Sequence, residues 1–212
     1  MEVIVSTRNK NKFAEISKIL SDAKIKAVSL EEFPQAPKRI KEDGDTFAAN
    51  ASIKALKIAH RTKKLTVADD SGLEVNALAG APGVYSARFS GKGATYQSNN
   101  NKLLKALKDL PNKNQRKARF VCAVAIADAA GIIAVVEGTC PGYIALELKG
   151  DKGFGYDPLF EVNGYKKTFA QLSPKLKNQI SHRAKAFSKA KKVILKYIDK
   201  SKINKVIFSL ER

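Results

Sequence analysis

What most constrains this chain is that short apolar, β-branched runs give way at once to polar clusters, with helix-period patterns between them. Glu2 to Ser6 reads as a strand, after which Phe13, Ile16, Ile19 and Leu20 recur at the spacing of one helix face. An Ala-rich stretch from about Thr46 to His60 has helical character, and Leu65 to Ala68 reads as a strand that ends abruptly in Asp69, Asp70 and, past Ser71, Gly72. Leu78 to Gly83 is a Gly/Pro loop and Ser98 to Leu107 is helical. Arg119 to Ala127 and Ile132 to Gly138 flank the turn Asp128-Ala129-Ala130-Gly131, which predicts a hairpin. The tail from Asn178 to Lys200 carries Phe187, Ala190, Ile194, Tyr197 and Ile198 on one stripe among lysines, which predicts a single long amphipathic helix. Helices interleaved with strands plus one antiparallel pair give an α/β class with a mixed sheet. No linker or repeat divides the sequence, so residues 1–212 are expected to form one domain.

Charge narrows the partners. Lys plus Arg number 39 against 20 Asp plus Glu, a net charge of +19, which favours something anionic: nucleotides, nucleic acid or an acidic surface. The longest clean apolar run, Val121 to Ala127, has the length of a strand, far short of the ~20 residues of a membrane span, so no membrane association is expected. The polar run Arg8 to Lys12 directly after the first strand lacks the apolar stretch of a secretory leader, and the expected location is the cytoplasm. Cys122 and Cys140 are the only cysteines and form no C-x-x-C pair, which supports neither a disulfide framework nor a zinc site.

Four clusters could carry chemistry. Thr7-Arg8-Asn9-Lys10-Asn11-Lys12 falls where the first strand hands over to a helix, and free backbone N–H groups with Thr, Asn and Lys side chains make an anion seat. It is equally legal as an ordinary helix start. Glu42, Asp43, Asp45, Asp69, Asp70 and Glu74 gather six of the 20 acids into a short stretch of an otherwise basic chain, and such hard oxygen donors suit Mg²⁺. Asp-Asp-Ser-Gly taken alone could be a cap or a turn. Gly153-Phe154-Gly155-Tyr156-Asp157-Pro158 offers two rings and a carboxylate to a flat ligand such as a nucleobase, and is also a permissible turn between strands. Lys177-Asn178-Gln179-Ile180-Ser181-His182-Arg183 concentrates donors suited to a keto oxygen.

Taken together the clusters resemble the Ham1-like family of inosine/xanthosine triphosphate pyrophosphatases. The matching motifs are T-x-N-x-x-K at Thr7, Asn9 and Lys12; E-x-G-x-[ST]-F-x-x-N-A from Glu42 to Ala51; A-D-D-S-G-L at Ala68 to Leu73; G-A-P-G-x-Y-S-A-R at Gly80 to Arg88; F-G-Y-D-P-x-F at Phe154 to Phe160; and S-H-R at Ser181 to Arg183. The resemblance implies a long mixed sheet flanked by helices, in two lobes with the active-site cleft between them. It implies hydrolysis of non-canonical purine nucleoside triphosphates (ITP, dITP, XTP) to the monophosphate and pyrophosphate, with Mg²⁺ as cofactor and a homodimer as the assembly. Carried onto this sequence, it puts triphosphate contacts on Thr7, Asn9 and Lys12, metal ligation on Glu42 and Asp70, and water activation on Asp70 with Asp69 alongside. Ser71 touches substrate, and Phe154, Gly155, Tyr156, Asp157, Lys177, His182 and Arg183 form the base and sugar pocket. One position departs: the chain reads Thr168-Phe169-Ala170-Gln171 where family members usually read T-x-A-E.

Two other readings stand beside this one. A pyrophosphatase for other modified triphosphates would keep the phosphate and metal clusters and change the base pocket. A basic nucleic-acid-binding protein would explain the charge, and nonspecific nucleic-acid binding is also expected as a side property, although no helix-turn-helix, RNP or zinc-finger pattern is present.

Overall fold

Six strands, β1 (Glu2–Val5), β2 (Lys26–Ser29), β3 (Thr66–Val75), β4 (Lys117–Ala127), β5 (Ile132–Ile144) and β6 (Phe160–Val162), form one sheet in the order β2-β1-β3-β4-β5-β6. The computed structural model describes residues 2–37 and 39–210, with the backbone alone over 200–210. β1 runs parallel to β2 and β3, while β3, β4, β5 and β6 pair antiparallel, so the sheet is mixed as expected. The helices are α1 (Lys10–Ser21), α2 (Phe47–Thr62), α3 (Tyr96–Ala106), α4 (Pro174–Ile180) and α5 (His182–Leu210). No described helix is long and apolar enough to cross a membrane. The hairpin turns where the sequence predicts, with Asp128 Oδ1 accepting from the N–H groups of Ala130 and Gly131.

The long strands β3 and β4 pass through two cores. Near β1, Val3, Val5, Val67, Cys122 and Val124 pack under α1 and α5. On the other face Ala68, Ala123, Ala125 and Ala127 meet Ala51, Ala55 and Ala59 of α2, small against small, which lets that helix approach the sheet closely. Farther along, Leu73, Val75, Ala118 and Phe120 join Leu103, Leu107, Leu159 and Phe160 in a separate core. These are the two lobes, and residues 69–72 of β3 lie at their junction.

Two expectations are corrected. The second strand does not stop before Asp69; it runs on to Val75, paired to β4 throughout. What ends there is its neighbour: β1 pairs β3 only at Ile4↔Thr66 and Val5↔Val67, so the β3 edge opens beyond Val67 and the carboxylates emerge at mid-strand. The tail is not one helix. Ser181 is extended (φ −67, ψ 159), ends α4, and its Oγ accepts from Ala184 N at 3.1 Å to cap α5. Lys177 therefore sits on one helix and His182 and Arg183 open the next. The side chain of Lys200, at the end of the predicted lysine-rich tail, lies outside the described residues. Strand β2 carries no signal that the sequence pattern announced.

Candidate active site

Every residue to which the resemblance gives a role borders one cleft, a cavity of about 920 Å³ between the lobes: Thr7, Asn9, Lys12, Glu42, Asp69, Asp70, Ser71, Phe154, Gly155, Tyr156, Asp157, Lys177, His182 and Arg183, whereas Asp43, Asp45 and Glu74 of the acidic cluster do not line it. The first wall is the start of α1. Asn9 is its N-cap, Oδ1 accepting from Lys12 N at 3.1 Å, and Thr7 Oγ1 accepts from Asn9 N at 3.2 Å. The helix dipole and Lys12 give this wall a positive face.

Because successive strand residues face opposite sides, Asp69 and Asp70 meet different surroundings. Asp69 lies with the α1 and α5 face: Lys12 Nζ is 3.0 Å from its Oδ2, Arg183 Nη2 3.4 Å, and Ser71 Oγ donates to it at 3.2 Å. Burial alone would raise its pKa, but Lys12, Arg183 and Lys54 outweigh it and hold the carboxyl well below the usual carboxylate range. Asp70 lies with the α2 face. Burial raises its pKa, Glu42 and Asp69 add to the rise, and Lys54 and Lys12 only partly oppose it. One carboxylate is thus held as an anion, and the other takes up a proton more readily than an ordinary aspartate.

Lys54 joins the acids. From the buried face of α2 its Nζ reaches Glu42 Oε2 at 2.6 Å and Asp70 Oδ1 at 3.3 Å. Asp69 Oδ1 and Asp70 Oδ2 are buried with no hydrogen-bond partner among the described residues. Two carboxylates around one cation, Glu42 and Asp70, with Asp70 Oδ2 left unpaired, fit a hard divalent ion that takes its other ligands from water and phosphate. No group of three or more His, Cys, Asp or Glu gathers as a complete ligand set among the described residues.

The second wall is the Phe154–Asp157 turn with the α4/α5 junction. Gly153 has φ +75, and a Cβ there would stand 2.0 Å from Asp157 Oδ2, so glycine lets the turn fold onto its own carboxylate. Asp157 Oδ2 accepts from Phe154 N at 2.8 Å and from Lys177 Nζ at 2.5 Å. Burial raises the Asp157 pKa, and Lys177 opposes the rise. Lys177 Nζ also lies 2.9 Å from Glu15 Oε1 and 4.8 Å from the Phe154 ring centroid. His182 stacks on Phe120 at 4.6 Å and 12°; burial, with Arg183 and Lys177 beside it, holds its pKa well below 6.5, so the ring is neutral. Its helix lies directly on β5: a Cβ at Gly138 would come within 2.4 Å of His182 O and Ala186 N.

Arg183 is more committed than the sequence suggests. Its guanidinium donates from Nε and Nη2 to Asp69, from Nη1 to Glu15 at 2.5 Å and from Nη2 to Ser71 at 2.9 Å, four bonds from a group with five N–H donors. It ties the second wall to the first. Tyr156 likewise turns inward, its buried hydroxyl donating to Ser86 O at 2.9 Å. Burial pushes the Cys122 thiol, under Asp69, up to about 12, so it is no nucleophile.

These motifs have close relatives. The profile of the Ham1 family matches residues 3–193. A protein from Desulforamulus reducens named dITP/XTP pyrophosphatase is 50% identical over 194 residues, covering 92% of this chain and 96% of its own. A protein of the same name from Geobacillus kaustophilus is 47% identical over 188 residues, covering 89% and 91%. In structure, a Ham1 protein from Coxiella burnetii superposes with a TM-score of 0.82 at 39% identity, over 92% of this chain and 99% of that one. The chain belongs to the Ham1 family.

In this Ham1 chain the cleft depends on residues that the motif reading passes over. Lys54 and Glu15 are the main ones. Lys54 does carry a sequence signal, since Ala51, Lys54, Ala55 and Ile58 share the buried face of one helix and a lysine has no business there unless paired. Glu15 carries none. Asn50 also serves the site: it accepts from Gly44 N at 2.9 Å and donates to Gly44 O at 3.2 Å, clamping the segment after Glu42 to α2. Gln171 proves remote, an exposed cap whose Oε1 accepts from Thr168 N at 3.0 Å.

Proposed function

We propose that this chain hydrolyses non-canonical purine nucleoside triphosphates, dITP, ITP and XTP, to the monophosphate and pyrophosphate. The observation that carries the reading is the split between Asp69 and Asp70 at the floor of a cleft with cations on one side and rings on the other. The printed names of the relatives, dITP/XTP pyrophosphatase, support it.

The triphosphate, near −4 in charge, lies against Thr7, Asn9, Lys12 and Lys54. Water attacks the α-phosphorus, the bond to the bridging oxygen breaks, and pyrophosphate leaves. Asp70 takes the proton of the attacking water. Asp69 stays ionised and fixes Lys12 and Arg183, so the positive wall is in place before charge develops. Glu42 and Asp70 would hold Mg²⁺, which supplies charge against the triphosphate oxygens. The base lies on Phe154 among His182, Lys177 and the remaining N–H of Arg183. A 6-keto oxygen accepts from such donors where the 6-amino group of adenine cannot, a mismatch worth roughly 10⁴-fold in a site built for the bond.

For assembly and partners the proposal follows the resemblance to a homodimer, tested by sedimentation. The surplus of 19 positive charges supports weak nucleic-acid binding that falls steeply with salt.

The deciding experiment is pyrophosphate release with MgCl₂, and again with EDTA, from ITP, XTP, dITP, ATP, GTP and dTTP. Metal-dependent release from the first three with little from ATP and GTP is expected. Metal-dependent activity on another triphosphate alone would discard the base pocket, and no activity on any would discard the enzyme.

A further inference from the structure

Tyr96 borders the cleft and opens α3, and the helix fixes its place: Thr95 Oγ1 accepts from Ser98 N at 3.1 Å and Ser98 Oγ accepts from Thr95 N at 2.9 Å, a reciprocal cap. Behind it Leu103 is fully buried in the second core, and Asn100 Nδ2 donates to Gly155 O at 3.0 Å, which joins α3 to the base-side turn. The Tyr96 side chain leans the other way. Its hydroxyl accepts from Asn9 Nδ2 at 3.4 Å, and its ring lies 6.1 Å from that of Phe154, tilted by 43°. Asn9 belongs to the phosphate wall and Phe154 to the base wall, so a single side chain touches both, and all three border the cavity.

Even so, 48% of Tyr96 is exposed. An isolated exposed ring needs no explanation. A ring held by its helix cap at a cleft mouth, beside the aromatic of the base wall and with its polar tip on the phosphate loop, is placed as an amphipathic contact between the two halves of a nucleotide.

We propose that Tyr96 is a substrate-binding residue: its ring extends the wall that Phe154 begins at the outer side of the nucleoside pocket, and its hydroxyl orients the Asn9 amide toward the phosphates. The proposal rests on reading the cleft as a nucleotide site. Ring and hydroxyl have separable consequences. Loss of a base–aromatic contact weakens nucleoside binding by on the order of tenfold, whereas loss of the hydroxyl alone releases Asn9 and leaves the ring wall intact.

The test compares Tyr96→Ala, Tyr96→Phe and, as a control, Tyr165→Ala, an exposed tyrosine that does not line the cleft. Alanine suits the first turn of a helix, so Tyr96→Ala is expected to fold with an unchanged melting temperature. The readouts are kcat and KM for dITP and the inhibition constants of dIMP and pyrophosphate. Tyr96→Ala is expected to raise KM for dITP and the constant for dIMP about tenfold with kcat within twofold. Tyr96→Phe is expected to leave dIMP unchanged and to weaken pyrophosphate by about twofold to threefold. Equal dIMP constants in Tyr96→Ala and wild type, or a change no larger than in Tyr165→Ala, would overturn the proposal. Equilibrium dialysis of dIMP with EDTA separates this from the catalytic reading: a wild type that turns over no triphosphate but binds dIMP tenfold more tightly than Tyr96→Ala upholds Tyr96 and sinks the reaction. A wild type that binds no dIMP sinks both.

Discussion

Asp69 and Asp70 are consecutive residues of one strand, yet Asp69 lies 3.0 Å from Lys12 on one face of the sheet and Asp70 3.3 Å from Lys54 on the other. Burial raises both carboxyls, but the cations around Asp69 outweigh it and those around Asp70 do not, so Asp69 moves down and Asp70 up from 3.8. A carboxyl lowered in the folded state adds stability at neutral pH, and one raised subtracts it. Asp69→Asn should therefore lower stability at pH 7 by on the order of 3 kcal/mol, because it leaves Lys12 and Arg183 uncompensated. Asp70→Asn should leave stability unchanged or higher while turnover falls by about 10²- to 10⁴-fold and nucleotide binding remains measurable. Urea unfolding beside pyrophosphate release checks both. Full turnover by Asp70→Asn would remove it as the base.

Lys54 is the cation that keeps Asp70 ionisable, so its removal has a signature beyond lost activity. With Lys54→Gln, burial and Glu42 act on Asp70 without their main opposition, and the Asp70 pKa climbs further. The acid limb of kcat/KM should move to higher pH, and kcat/KM at its plateau should fall by about 10²-fold for one lost contact to developing charge. A pH–rate profile from pH 5 to 9 reads both, and an unmoved acid limb would mean that Asp70 is not the titrating group.

His182 makes a prediction about acid. Its folded pKa lies well below the 6.5 of the unfolded chain, so the stability it allows is complete above pH 6.5 and is lost as pH falls, the unfolded state taking up the proton first. The loss is up to about 1.4 kcal/mol per pH unit from this one group. Asp70 and Asp157, whose pKa values are raised, act with the opposite sign. The difference between wild type and His182→Gln isolates the histidine: urea midpoints between pH 7.5 and 5 should converge as pH falls.

How much of this was legible follows from what each feature depends on. The hairpin Lys117–Ala127 with Ile132–Ile144 depends on local alternation and a local turn, and both are written in the sequence. The clusters at Thr7, Asp69, Phe154 and His182 are contiguous motifs, and the fold brings them into one cleft. Glu15 was illegible because its partners, Lys177 and Arg183, lie more than 160 residues away, and an acid on a lysine-rich helix looks solvated. The opening of the β3 edge was illegible for a similar reason: it reflects where β1 stops, and nothing in β3 itself records that. The break at Ser181 was in plain view as a cap-forming serine, but the helix pattern that begins at Phe187 was extended back across it to Asn178.

Gln171 is the one departure from the motifs of the Ham1 resemblance, and its position decides what it costs. The side chain is exposed and caps the short turn Phe169–Gln171, Oε1 accepting from Thr168 N at 3.0 Å, while Thr168 Oγ1 donates to Lys149 O at 2.6 Å. A capping box takes Glu or Gln at this place, since either offers a carbonyl-type acceptor to the same N–H. Gln171→Glu should then change stability by less than about 0.5 kcal/mol and leave kcat and KM for dITP within twofold. The cap still touches the site indirectly, because Ala170 N in this turn donates to Asp157 O at 3.2 Å and so steadies the carboxylate that holds Lys177. Gln171→Ala removes the acceptor and should cost about 1 kcal/mol, with any kinetic effect confined to KM because Asp70 and Lys54 lie on other elements. A tenfold gain in kcat from Gln171→Glu would show instead that a carboxylate at 171 takes part in the reaction and that the cap seen here is not its role.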